Sequence, residues 1–308
     1  MQLSIVVPTF NRADFLNTAI RALVNQSDTD IEYEVIIVDN NSKDRTAHVV
    51  AEWTNRDPRI RYVLEKRQGC SYARNTGIEA ARSDLLAFCD DDVTVDVNWV
   101  ERMVAALKRF PDAAFVGGKV LPVWSRTPPN WLTPTTPGLA LQDLGEEPAR
   151  VSLDHQRCLI TACFAARRQA FEKFGLFPIE TQRVNDGLGS LEDYAWELNV
   201  WQNGGHGMYV PNIVCWCEVP PERMQKQYHR KWFLGHGKFS ARARRPEYEQ
   251  VSRRLFQVPS FMYREIVERP VKMISSMLKR DDVQAFQHQT MLLFYLGFIR
   301  ERQSVRIR

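Results

Sequence analysis

Between Leu3 and Leu107, short apolar runs alternate four times with apolar residues at helical spacing. This alternation restricts the chain to a mostly parallel sheet covered by helices, because parallel strands need long crossover connections and bury both faces. Residues 3–8 (LSIVVP) and 34–39 (EVIIVD) read as buried strands, Ile60–Leu64 as a weaker one and residues 85–89 as a fourth. Phe15, Leu16, Ala19, Ile20 and Leu23 mark a helix, and Ser42 or Asp44 can cap the next. Residues 71–82 predict a helix with small residues on one side, and Trp99, Val100, Met103, Val104 and Leu107 share the face of another. The fold class expected is α/β, a Rossmann-like sheet flanked by helices.

The pattern loosens after Gly117-Gly118. Residues 122–150 hold six of the sixteen prolines, with Trp124 and Trp131 among them, and are expected to form an acceptor-binding flap. Order returns in residues 159–165, in a helix near Arg168–Phe174, and in a helix over residues 191–201 that stops at Gly204-Gly205. Strands follow near 208–210 and 213–216, and from Pro221 the chain reads as a helical extension. The expected division is 1–116, 117–220 and 221–308.

Charge divides along the same line. Residues 221–308 carry 19 Lys and Arg against 8 Asp and Glu, a balance of +11, while the rest of the chain stands at −7. A basic tail suits nucleic acid, anionic lipid or phosphorylated acceptors, and charge alone does not choose among them. The apolar run Met291–Ile299 is about half the length needed to cross a bilayer, so it reads as a core-packing helix or an interfacial one. Met1 leads at once into a strand with no leader-like segment, and the protein is expected to stay in the cytoplasm. The six cysteines are scattered without C-x-x-C, and no H-E-x-x-H occurs, so reduced thiols are expected rather than disulfides or structural zinc.

Three polar clusters stand at the carboxyl ends of expected strands, where open α/β sheets bind ligands: Pro8-Thr9-Phe10-Asn11-Arg12, Asp39-Asn40-Asn41-Ser42 and Asp90-Asp91-Asp92. Asp39 can accept the N–H edge of a base, or it can serve only a polar turn. The triplet directly behind an apolar strand points to a hard divalent cation, Mg2+ or Mn2+, holding a diphosphate, with Asp90 and Asp92 on one side and Asp91 turned away. Glu192-Asp193 opens a helix behind the loop of residues 185–189, whose Gly187 and Gly189 can bring backbone close to a sugar. Tyr194, Trp196 and Trp201 can stack on sugar or pack in the core. Arg74 can pair with phosphate or with Asp39.

Taken in order, SIVVPTFNR, EVIIVDNNSKDRT, SYARNTGIEAARSDLLAFCDDD and GLGSLEDYAWELNVWQNGG resemble family 2 glycosyltransferases, inverting enzymes of the GT-A fold, over residues 1 to about 240. The resemblance implies a nucleotide-sugar half at 1–116, an acceptor and catalytic-base half at 117–220, and a basic helical region at 221–308. It implies Pro8, Thr9, Asn11, Arg12, Asp39, Arg74, Asp90 and Asp91 around the nucleotide, Asp92 on the metal, and Asp193 as catalytic base. Glu192, Trp131 and Gly189 are expected at the acceptor or donor sugar. Many members of the family place a His after the strand following the base helix; here Cys217 stands there, which leaves Cys217, His229 and His236 as the candidates for that contact. The implied partners are a nucleoside-diphosphate sugar, with UDP the expected carrier, and an acceptor glycan or lipid-linked sugar. Contact with an anionic membrane at the inner face of the cell is expected, and nucleic acid is not.

Two rival classes fit less well. A sugar nucleotidyltransferase needs a glycine-rich loop after the first strand, where PTFNRADFL has no glycine, and a non-catalytic scaffold has little reason to keep the acidic triplet together with Glu192-Asp193.

Overall fold

The computed structural model describes residues 1–27, 30–184 and 187–304. They form two compact units: Met1–Ser125 with Ala140–Ile179 and Glu192–Val219, and Arg126–Leu139 with Glu180–Leu191 and the chain from Pro220 onward.

The first unit opens with the expected alternation: β1 (Leu3–Thr9), α1 (Ala13–Val24), β2 (Tyr33–Asp39), α2 (Thr46–Arg56), β3 (Ile60–Leu64), α3 (Cys70–Ala80), β4 (Leu85–Phe88), β5 (Val93–Val95) and α4 (Trp99–Arg109). The Val and Ile runs of β1 and β2 form strands because a pleated surface buried on both faces suits β-branched side chains. Every residue of β2 is buried. β1 pairs in parallel with β2 and β4, and β2 with β3. α3 approaches so closely that a Cβ on Gly77 would stand 2.2 Å from Val6 Cγ1, and this holds Arg74, three residues earlier on the same face, against the strand ends.

The sheet continues through β6 (Phe115–Trp124), β7 (Ala149–Val151), β8 (Phe164–Arg167) and β9 (Gly207–Val219), with α5 (Arg168–Phe174) and α6 (Glu192–Gln202) between the last two. Nine strands run in the order β3-β2-β1-β4-β8-β6-β9-β5, with β7 on β9. The 116/117 boundary therefore falls inside β6, and the first two expected segments share one sheet. The two strands expected near 208–210 and 213–216 are one, β9; its register against β6 shifts between Gly117 and Lys119, which accommodates Pro211 without a ladder N–H. β5, not foreseen, is only three residues long and pairs antiparallel with β9.

Tyr194, Trp196 and Trp201 are core residues and not sugar platforms. Trp196 packs 4.8 Å from the ring of Phe171 and 5.7 Å from that of Phe177, and Trp201 lies edge-on to Tyr194. A helix of mixed pattern against a sheet draws its aromatics inward, because each buries a large apolar area.

The second unit is helical: α7 (Lys226–Arg242), α8 (Pro246–Glu249), a hairpin of β10 (Arg254–Leu255) and β11 (Val258–Pro259), α9 (Ser260–Leu278) and α10 (Asp282–Ser304). α10 packs on α7 and α9, burying Phe294, Tyr295, Phe298 and Ile299 with Met262 and Val258. The Met291–Ile299 run is thus a core element, which removes it as an interfacial helix. No helix among the described residues is long and apolar enough to cross a membrane.

The proline-rich stretch is divided: Arg126–Leu139 belongs to the helical unit. Trp131 meets His229 and Phe286 edge-on at 5.1 and 5.0 Å, so its ring is engaged in packing. Gly189 has φ +81°, and a Cβ there would stand 2.3 Å from the backbone nitrogen of His236 and 2.7 Å from the Trp232 carbonyl. Its glycine is required by the approach to α7. Gly189→Ala is expected to lower stability by about 1–3 kcal/mol through strain and overpacking, read by chemical denaturation; an unchanged midpoint would show that the helix yields. Asn185 and Asp186 of the same loop lie outside the described residues.

Candidate active site

Parallel pairing sets Thr9 opposite Asp39 and Val6 opposite Phe88, so the segments leaving β1, β2 and β4 emerge along one edge of the sheet. Local hydrogen bonds clasp these segments together. Asn11, at φ 53°, accepts the Lys43 N–H on Oδ1 (2.7 Å) and donates its own N–H to Ser42 Oγ (2.9 Å). Asn40 likewise accepts the Gly69 N–H at 2.8 Å. Asp39 is buried; Oδ1 accepts the Ser42 N–H and Oδ2 the Tyr62 hydroxyl, each at 2.8 Å. Burial and the Asp39 carboxylate push the Tyr62 phenol up to about 12.

The acidic triplet occupies the turn between β4 and β5. Asp91 faces inward: Thr9 donates to Oδ2 at 2.8 Å and Arg12 to Oδ1 at 3.1 Å. Since the same Arg12 nitrogen meets Asp92 while Asp90 meets Arg74, the side chains do not show the expected pairing of Asp90 with Asp92 apart from Asp91. Burial, opposed by Arg12 and reinforced by Asp92, holds the Asp91 carboxyl at about 6. Arg12 also meets Asp92 Oδ2 at 2.6 Å, and Pro8 lies within β1 one residue before Thr9.

Arg74 is a buried hub. Nη1 stands 2.8 Å from Glu192 Oε1 and 3.8 Å from Asp193 Oδ1, and Nη2 stands 3.2 Å from Asp90 Oδ1. This corrects the pairing with Asp39: α3 directs Arg74 toward β4 and α6, while Tyr62 and Ser42 take the Asp39 oxygens. Although burial favours the neutral form, Asp193 and Asp90 hold the guanidinium well above its ordinary value.

At the start of α6 the neighbouring acids diverge, as positions about 100° apart on a helix must. Glu192 turns inward to Arg74 and Cys70, its side chain 6% exposed, whereas that of Asp193 is 20% exposed. Asp193 Oδ2 accepts the backbone N–H and hydroxyl of Thr161 at 3.1 and 2.9 Å. Burial and the Glu192 charge, opposed by Arg74, raise the Asp193 carboxyl to about 6.

Two contributors escaped sequence reasoning. Thr161 offers no motif. Glu197 accepts the Leu159 N–H on both oxygens, at 3.0 and 3.1 Å, and so fixes the segment that holds Asp193; its spacing four residues after Asp193 was the available signal.

Five carboxylates, Asp90, Asp91, Asp92, Glu192 and Asp193, thus adjoin two guanidiniums, Arg12 and Arg74. The excess of negative oxygen fits a hard divalent cation, and Arg12 on Asp91 and Asp92 shows that these carboxylates accept a positive partner. No three His, Cys, Asp or Glu side chains among the described residues form a metal cage.

The expected third contacts fare differently. Cys217 lies opposite Val93, beside the Asp92 turn. His229 Nε2 and Nδ1 face the carbonyls of Arg223 and Pro137 at 2.9 and 3.2 Å, and burial keeps the ring neutral, so its one N–H is given to a backbone carbonyl. His236 stacks 4.4 Å from Trp232, and burial lowers it to about 4. Both histidines are interior groups of the helical unit.

Residues 4–175, more than half of the chain, match the family model for glycosyl transferase family 2. Over 118 residues the chain is 33% identical to the glycosyltransferase AglE of Haloferax volcanii, covering 38% of each protein. Over 93 residues it is 40% identical to the GalNAc(5)-diNAcBac-PP-undecaprenol beta-1,3-glucosyltransferase of Campylobacter jejuni, covering 30% of this chain and 29% of that one. The matched stretch is thus well under half of either relative. The mannosyltransferase PcManGT of Pyrobaculum calidifontis, solved with GDP-Man and Mn2+, superimposes with a TM-score of 0.63 at 15% identity over 98% of this chain and 87% of its own. S. aureus TarS 1-349 in complex with UDP does so at 0.56 and 17%, over 99% and 92%. The fold is GT-A, and the chain belongs to glycosyl transferase family 2.

Proposed function

We propose that this chain transfers a sugar from a nucleoside diphosphate, UDP by preference, to an acceptor hydroxyl with inversion. The observation that carries this reading is Asp193: a carboxyl held at about 6, fixed on one oxygen by Thr161 and set beside the acidic edge of the sheet. A base with such a value accepts the proton of a hydroxyl nucleophile effectively near neutral pH.

Asp39 reads the base, while Pro8, Thr9, Asn11 and Arg12 line the nucleotide beside Asp90 and Asp91. Arg74 and Glu192 position Asp90 and Asp193. Asp92, with Asp90, would hold Mg2+ or Mn2+, which when bound stabilises charge on the departing diphosphate. Trp131 and Gly189 shape the helical unit, and the acceptor is a glycan or a lipid-linked sugar. Neighbouring structures solved in complex with UDP, UDP-GlcNAc and GDP-Man support a nucleotide-sugar donor. The undecaprenol-linked substrate in the name of the Campylobacter jejuni relative supports a role in surface polysaccharide or glycolipid synthesis at the cytoplasmic face of a membrane.

Thermal shift with UDP, GDP and dTDP, each with and without Mn2+, tests the reading; a bound ligand at 100 times its Kd adds about 2.7 kcal/mol. No shift with any nucleotide would overturn it. Asp92→Asn is expected to abolish the Mn2+-dependent part of the UDP shift, whereas Cys217→Ser leaves it intact, because a thiolate is too soft for either ion. A large rise in the Mn2+ concentration required by Cys217→Ser would make Cys217 a ligand after all.

A further inference from the structure

The helical unit hides one apolar run and exposes another. Along α9, Val267, Val271, Ile274, Met277 and Leu278 are 54–81% exposed. Four of them, at spacing 267, 271, 274, 278, form one stripe within about 40° of a common direction, roughly 16 Å long. The opposite face, through Met262 and Ser276, is the one buried within the unit. Tyr263 flanks the stripe and donates its hydroxyl to the Leu255 carbonyl, which brings the hairpin tip to the same side. At that tip Leu255 and Phe256 are also half exposed.

An apolar surface of this extent at regular spacing is costly in water and marks a contact face. Exposed basic residues lie near it: Arg253 and Arg254 at the hairpin, Arg264 beside the stripe, Lys279 and Arg280 at the end of the helix. Arg264 and Lys272 share Glu268, at 3.5 and 2.8 Å.

We propose that the α9 stripe and the β10–β11 tip form a membrane-docking face that inserts its apolar side chains into the headgroup region of an anionic bilayer. Charge decides between occupants. A second copy would bring the same face, seven Lys and Arg against four Asp and Glu over residues 253–282, against itself, whereas an anionic leaflet attracts it, each basic residue near the surface adding to the binding. The face rests on the membrane setting of the proposed function and deepens it, while vesicle binding tests it apart from the transfer reaction.

The test uses the full chain and sedimentation with vesicles of phosphatidylcholine alone or with about 30 mol% phosphatidylglycerol. Binding is expected only to the anionic vesicles. The double variant Val271→Glu, Ile274→Glu is expected to bind them at least about tenfold more weakly, with an unchanged melting temperature because both positions are solvent-exposed. Val271→Leu, Ile274→Leu keeps binding, and Lys279→Glu, Arg280→Glu weakens it, so the proposal stands or falls even if the first pair does not fold. Equal binding to both vesicle types, binding to neither, or a dimer in sedimentation velocity that the Glu pair dissolves would each overturn the proposal.

Discussion

Asp193→Asn is expected to lower turnover by about 10²–10⁴, or roughly 3–5 kcal/mol in the barrier, while donor affinity changes little. The asparagine keeps an oxygen for Thr161 and nearly the same volume, so the loss is of the proton acceptor and not of the fold. The sign of the pH dependence follows from the raised carboxyl. Only the ionised form accepts a proton, so the wild-type rate should fall as pH drops through about 6, well above the ordinary aspartate range of about 4. Glu192→Gln is expected to be milder in turnover, because Glu192 lies inward on Arg74. The decisive measurements are kcat, KM and the pH profile of both variants once a donor and acceptor pair is in hand. Near-normal turnover in Asp193→Asn with collapse in Glu192→Gln would move the base by one residue.

Arg74→Ala is expected to cost about 3–5 kcal/mol of folding stability, because it leaves Glu192 and Asp193 buried without their cation. The loss should depend on pH in a stated direction. Without Arg74 the Asp193 carboxyl, already raised, is raised further above its unfolded value, so the folded variant binds more protons than the unfolded chain and its stability falls as pH rises. The deficit relative to wild type should therefore be larger at pH 8 than at pH 5. Denaturant midpoints at the two pH values measure it. An equal deficit at both would mean that Arg74 serves through packing on Phe177, 5.8 Å from its guanidinium, and not through charge. Arg74→Lys is expected to recover only part of the loss, since one ammonium cannot reproduce the forked contacts to Glu192 and Asp90.

The sheet and the polar clusters at its strand ends were legible in the chain itself. Strand runs such as LSIVVP and EVIIVD are continuous and β-branched, and the polar clusters begin where they end, so periodicity places Thr9, Asp39 and Asp90–Asp92 at the carboxyl ends without any long-range information. The packing of α4 was equally open, because Trp99, Val100, Met103, Val104 and Leu107 repeat at a helical interval.

Tertiary structure alone decided which polar groups meet. Arg74 and Glu192 are 118 positions apart, and only the close seat of α3 on β1 brings the guanidinium to Glu192 and Asp90 in place of Asp39. Likewise the sequence singles out one apolar run near the end of the chain but not which face it buries. Met291–Ile299 is the longer run and was the natural candidate for a lipid surface, yet α10 sits between α7 and α9 and spends it on the core. Val267, Val271, Ile274 and Leu278 are interrupted by charged residues and look weaker in one dimension, yet they are the ones left facing solvent. Hydrophobicity is a property of residues, whereas exposure is a property of their neighbours in space, and those neighbours lie too far along the chain for local periodicity to report.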